Sequence, residues 1–138
     1  MTGLYTAHAT ATHGRAGHVA TDDGVLKFDL SVPKGMGGEG KPGATNPEQL
    51  FACGYAACFG GAMDFVAGQK KVALAPASVT AAVTFNKDDT GFFLSVKLTI
   101  AAPGMDRAVL TDLVHAAHGV CPYSKATAGN VTVELVVA

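Results

Sequence analysis

Two cysteines stand in surroundings where sulfur could react: Cys58, in Tyr55-Ala56-Ala57-Cys58-Phe59, and Cys121, in His118-Gly119-Val120-Cys121-Pro122-Tyr123-Ser124. A thiol is mostly protonated at neutral pH, and an apolar setting such as that of Cys58 raises its pKa further, so a nucleophilic Cys58 needs a cation beside it. Arg15, in Gly14-Arg15-Ala16-Gly17, can serve permanently because guanidinium does not deprotonate. Glu48 could fix the orientation of that guanidinium through a bidentate bond. Taken singly, each residue also has a plainer role. A cysteine in an apolar helix is commonly inert packing, Arg15 could be a solvated strand-end charge, and Glu48 suits the first turn of a helix by its dipole.

The N-terminus, Met1-Thr2-Gly3-Leu4-Tyr5, has neither the basic start nor the apolar run of a secretory leader, so the expected compartment is the cytoplasm. Three cysteines there do not make a disulfide framework, because persistent bridges are rare in a reducing compartment. Any disulfide is expected to be transient and catalytic.

Other chemistries fit less well. Gly35-Met36-Gly37-Gly38-Glu39-Gly40 satisfies G-x-G-x-x-G, but the next helix starts too late and no second parallel strand ends in an acidic residue at the required distance. Gly35 to Lys41 also approaches a phosphate-binding loop, yet Pro42 replaces the hydroxyl residue that must reach magnesium. Zinc would have to draw on Cys53, Cys58, His118 and Cys121. Cys53 and Cys58, five residues apart, lie about 140° apart around a helix and point to different faces. No metal or cofactor is expected, His118 reads as a helix C-terminal residue facing the negative end of the dipole, and Cys53 reads as packing.

At 138 residues the chain is expected to form one domain, spanning 1–138, with a proper core. Charged residues are 15% of it and apolar ones 49%, against about 25% charged in a typical soluble protein. So few charges predict a large subunit interface. A net charge of −1 without any Lys or Arg run argues against nucleic acid as a partner. The uncharged stretch from Leu50 to Met63 is shorter than the roughly 20 residues a bilayer requires, so no membrane partner is expected either.

These residues must be positioned by an α+β arrangement of antiparallel sheets on a long buried helix. Tyr5, Ala7, Ala9 and Ala11 alternate with polar residues as a half-buried strand, and a pair around Val19-Ala20 and Val25 to Val32 turns at Asp22-Asp23-Gly24. Lys34 to Ala44 is a glycine-rich loop. Asn46 as cap, Pro47 at the first position and Gln49 three residues after the cap predict a helix from Pro47 to about Ala67, stopped near Gly68. It is apolar nearly all round, hence central and fully packed. Val79 to Phe85 and Phe92 to Ile100 form a hairpin through Asp88-Asp89-Thr90-Gly91. A helix from Asp106 to His118 stops at Gly119, and Val131 to Val137 is the last strand.

The run Ala44-Thr45-Asn46-Pro47-Glu48-Gln49-Leu50 through Gly54-Tyr55-Ala56-Ala57-Cys58-Phe59, with Val120-Cys121-Pro122-Tyr123-Ser124, closely resembles the bacterial organic hydroperoxide resistance proteins, which share a superfamily with the osmotically inducible C proteins. The resemblance extends through Gly14-Arg15-Ala16-Gly17 and Asp29 to Gly38, and Cys-Pro-Tyr-Ser favours the hydroperoxide branch. It implies a peroxidase that reduces organic hydroperoxides, with Cys58 as peroxidatic thiolate, Cys121 as resolving thiol, Arg15 as activating cation and Glu48 as its carboxylate. It also implies a swapped homodimer with sites at the interface, reduced by lipoylated proteins. Cys53 departs from the pattern, where a small residue such as alanine is expected, which leaves a competing thiol open beside packing. Sparse charge and abundant Met, Phe and Leu near both motifs favour a hydrophobic pocket and hence alkyl or lipid hydroperoxides.

Two other functions stay open on the residues alone: a Cys-His hydrolase pairing Cys58 with His118 or His115, and a redox-sensing or small-molecule binding module without turnover. One geometric expectation concerns the dimer. Glu48 and Cys58, ten residues apart on one helix, are about 15 Å apart along its axis, so one Arg15 can hardly touch both within a chain. If Arg15 is held by Glu48 while it activates Cys58, that Glu48 is therefore expected from the subunit partnering the Cys58 chain, with Gly54, Ala57, Gly60 and Gly61 letting two antiparallel helices approach.

Overall fold

Alternating small and β-branched residues do form the first strands, over fewer residues than the alternation spans. A computed structural model describes residues 1–138, and its contacts divide into Met1–Leu50 and Phe51–Ala138. In the first unit β1 (Ala9–Thr12), β2 (His18–Thr21) and β3 (Lys27–Asp29) form an antiparallel sheet in the order β1-β2-β3. Tyr5 and Ala7 precede the strand rather than belonging to it. Their partner runs out, since β2 ends at Thr21 opposite Ala9. All four residues of β1 are exposed, not half-buried; it is an edge strand of small side chains.

The β2–β3 turn falls where expected. Asp23 accepts from the Thr21 hydroxyl at 2.7 Å and the Val25 N–H at 3.0 Å, and Gly24 takes the left-handed φ of 72°. In the glycine-rich loop the N–H groups of Gly37, Gly38 and Gly40 bond the carbonyls of Lys34, Pro33 and Val32. A Cβ on Gly38 would collide with the Val32 backbone, so this glycine serves close chain approach.

The long helix α1 runs Pro47–Lys70. Asn46 Oδ1 accepts the Gln49 N–H at 2.9 Å as an N-cap, while Gln49 Oε1 turns to the Thr45 hydroxyl at 2.7 Å instead of completing a capping box. The helix passes Gly68 and ends at Lys71, whose φ of 56° is left-handed. There the Lys71 N–H bonds Gly68 O and the Val72 N–H bonds Ala67 O, a Schellman closure that a lysine rather than a glycine supplies. By length and composition α1 could cross a membrane, although its uncharged stretch alone is too short. It is not packed all round. Tyr55, Phe59, Ala62, Met63, Val66 and Ala67 are buried as one stripe, while Cys53, Ala57, Gly61 and Phe65 are exposed.

In the second unit β4 (Ser78–Asp88) and β5 (Gly91–Ala101) form the expected hairpin. Val79, Ala81, Val83 and Phe85 pair with Ile100, Leu98, Val96 and Leu94, one face of the sheet. β6 (Thr132–Val137) adds parallel to β5. Between them α2 (Arg107–Val120) starts at Asp106, which accepts the Val109 N–H at 3.0 Å. It runs through Gly119, and Pro122 ends it: Cys121 takes the extended conformation that a residue before proline favours, then caps α3 (Pro122–Thr127). The α1 stripe, Val96, Leu98 and Ile100 of β5, and Leu110, Leu113, Val114 and Ala117 of α2 share one core with Cys121.

Candidate active site

Cys58 sits on α1 and Cys121 at the α2–α3 junction, and packing brings their sulfurs to 3.6 Å. Both thiols are free; Cys121 is fully buried and Cys58 partly exposed. A disulfide needs about 2.05 Å, so roughly 1.5 Å of closure joins them. Burial pushes the Cys58 thiol up, the backbone N–H of Tyr123 pulls it partly back, and the Cys121 sulfur adds to the rise. The site thus favours the neutral thiol within its own chain, and a cation is needed to make it a nucleophile. Cys53 is exposed on α1, so packing inside its own chain is not its role.

Around the sulfurs lies a polar network that the residue pattern does not announce. Tyr55 Oη lies 2.9 Å from Ser124 Oγ and 3.3 Å from Thr127 Oγ1, His118 Nδ1 lies 2.9 Å from Ser124 Oγ, and Thr127 Oγ1 donates to the Ser124 carbonyl at 3.0 Å. Tyr55, Ser124 and Thr127 are all buried. His118 therefore engages a serine rather than only the helix end. The aromatic rings of Phe51, Tyr55 and Tyr123 meet with centroids 5.7 to 6.1 Å apart, and Tyr123 rests against Gly54, where a Cβ would come within 2.9 Å of its hydroxyl. The one sequence clue was spacing, since Tyr55 and Cys58, like Cys121 and Ser124, are three residues apart.

Arg15 and Glu48 form a second pair. Gly14–Ala16 is a single 3-10 turn between β1 and β2, entered through His13 and Gly14 with left-handed φ of 57° and 53°. A Cβ on Gly17 would strike the Thr12 carbonyl, so the turn requires glycine on leaving. It presents Arg15 to the first turn of α1, where Nη1 and Nη2 donate to Glu48 Oε2 and Oε1 at 2.9 and 2.8 Å. This bidentate fork, largely by its hydrogen bonds, holds the Glu48 carboxyl below the usual carboxylate range against an opposing burial effect, and it raises Arg15. The carboxylate that holds Arg15 belongs to Arg15's own chain. Reach explains it: the N-terminus of α1 lies in the same unit as the Arg15 turn.

Two cavities, of about 350 Å³ at the Ala101–Met105 turn and about 200 Å³ between Gly60 and Pro76, are lined by neither cysteine. No three His, Cys, Asp or Glu side chains converge as a metal-binding group.

A family model for OsmC-like proteins matches residues 38–136. The chain is 54% identical to the organic hydroperoxide resistance protein of Xanthomonas axonopodis pv. citri (strain 306), over 98% of this chain and 95% of that one. It is 50% identical to the organic hydroperoxide resistance protein OhrB of Bacillus subtilis (strain 168), over 96% of each. The crystal structure of an organic hydroperoxide resistance protein from Legionella pneumophila superposes with a TM-score of 0.92 at 49% identity, covering 99% of each chain.

Proposed function

The chain belongs to the OsmC-like protein family, and from that premise we propose that it is a thiol-dependent peroxidase acting on organic hydroperoxides, in a cytoplasmic response to oxidative stress. Relatives at about half identity are named for organic hydroperoxide resistance. The observation that carries the reading is the facing of two free thiols at 3.6 Å, which suits a cycle of oxidation and disulfide closure. His118 turns Nδ1 to Ser124, an arrangement that favours this reading over a Cys-His hydrolase.

In the cycle the Cys58 thiolate attacks one peroxide oxygen, the O–O bond breaks, and the alkoxide leaves with a proton as alcohol. Cys58 is now a sulfenic acid. The Cys121 sulfur displaces its hydroxyl, releasing water and forming the Cys58–Cys121 disulfide. A dithiol, such as the lipoyl group of a lipoylated protein, returns both cysteines to thiols and becomes a disulfide itself. Arg15 supplies the compensating cation, aimed by Glu48, and its planar fork can hold the peroxide oxygens as charge develops. Because Arg15 and Glu48 come as a unit from one chain, a homodimer in which this unit serves the partner's Cys58 reconciles the pair with activation of the thiol.

Steady-state turnover of cumene hydroperoxide against hydrogen peroxide, with dihydrolipoamide and then thioredoxin as reductant, tests the reading. Faster consumption of the organic peroxide with dihydrolipoamide is expected. Disulfide formation without turnover would make the protein a redox sensor instead.

A further inference from the structure

We propose that Tyr55, Ser124 and His118 are positioning residues for the disulfide-forming step, holding Cys121 against Cys58 through a one-way chain of hydrogen bonds. The inference rests on the peroxidase reading of the two cysteines. Its basis is a pair of parallel rungs between α1 and the α2–α3 junction. Tyr55 and Cys58 are one turn apart on α1, as are Cys121 and Ser124 on the other side, and the rungs are Tyr55 Oη to Ser124 Oγ at 2.9 Å and Cys58 Sγ to Cys121 Sγ at 3.6 Å. His118, three residues before Cys121, closes the junction from the other flank by bonding the same Ser124 hydroxyl at 2.9 Å.

Counting protons gives the chain its direction. The Thr127 hydroxyl proton is committed to the Ser124 carbonyl, so Thr127 Oγ1 can only accept from Tyr55. Tyr55 then has no proton left for Ser124, and Ser124 must donate to Tyr55. Ser124 in turn has none for His118, so Nδ1 of His118 must carry the hydrogen. Only this order, His118 to Ser124 to Tyr55 to Thr127, satisfies every contact of the buried hydroxyls. The sulfenic acid at Cys58 and the thiol at Cys121 lose water and form their bond only if the sulfurs close by roughly 1.5 Å along the right line. The chain fixes that line without touching either sulfur.

The test uses the reduced full-length protein and about one equivalent of cumene hydroperoxide, with dimedone trapping of the sulfenic acid and mass spectrometry of the disulfide over time. Tyr55→Phe and His118→Ala should form sulfenic acid within about twofold of the native rate but close the disulfide about tenfold or more slowly, since a misplacement of about 1 Å can cost a hundredfold. His118→Asn, whose amide N–H can replace Nδ1–H, should restore closure to near the native rate. Native closure rates in Tyr55→Phe and His118→Ala would overturn the proposal, as would equal slowing of both steps, the mark of a merely structural disturbance. If the native protein forms no Cys58–Cys121 disulfide at all, the peroxidase reading itself fails, an outcome separate from native closure in the variants.

Discussion

A thiol that attacks a peroxide must do so as thiolate, and burial works against this at Cys58. Alkylation of Cys58 should therefore rise with pH through a raised pKa, and Arg15→Ala should move that profile to still higher pH by removing the compensating cation. An unchanged profile would make Arg15 a surface charge. Glu48 shifts the other way: its folded pKa is depressed, so the Arg15–Glu48 pair is at full strength above the ordinary glutamate pKa and is lost as pH falls through the folded value. The pair should accordingly survive mild acid, so that any loss of activity there follows the shrinking Cys58 thiolate fraction, and the pair itself should fail only at lower pH. Cys58→Ser should abolish turnover, whereas Cys121→Ser should react once and stall as sulfenic acid or overoxidise, which mass spectrometry distinguishes. That Arg15 meets Glu48 and Cys58 meets Cys121 could be anticipated, because each of these side chains stands in a recognisable local motif. The contacts of Ser124 could not, since they run to Tyr55, 69 residues away, and to His118.

At the scale of elements, the start of α1 was written in Asn46, Pro47 and Gln49, and its end was not. Gly68 looked like the stop, but a Schellman closure needs only a residue willing to take left-handed φ, and Lys71 does so. The same holds for α2, where Gly119 stays helical and Pro122 imposes the break that puts Cys121 at a cap. The parallel pairing of β6 with β5 was likewise hidden, because period-2 alternation shows a strand and not its direction. Asn46→Ala should lower unfolding free energy by about 1 kcal/mol, read by urea denaturation, because Gln49 N–H loses its partner. Asn46→Asp, which caps as well, should leave it nearly unchanged. Equal loss in both variants would mean that the cap bond contributes nothing and that the position matters for another reason.

At the scale of the whole molecule, the sparse charge of the sequence finds its counterpart in large apolar side chains left in water. Phe65 is 56% exposed on α1, Phe92 is 68% exposed at the β4–β5 turn, and β1 is exposed along its length. The sequence made α1 look buried on every side, while in one chain only a stripe of it is, so the rest calls for another surface to cover it. A homodimer would supply one, and its consequence for the site can be measured by complementation. Arg15 and Glu48 belong together in one chain, and Cys58 and Cys121 in one chain, so in a composite dimer these two pairs would be the units exchanged. Cys58→Ser and Arg15→Ala homodimers should each be inactive or nearly so. Unfolded together and reassembled, they yield heterodimers in which the Cys58→Ser chain still offers an intact Arg15–Glu48 pair to the other chain's cysteines. If the pair serves its partner, one site per heterodimer is complete and up to about half of native activity per heterodimer returns. No recovery in heterodimers verified by mass would mean that Arg15 acts on the Cys58 of its own chain. A protein that stays monomeric by light scattering would remove the composite site altogether.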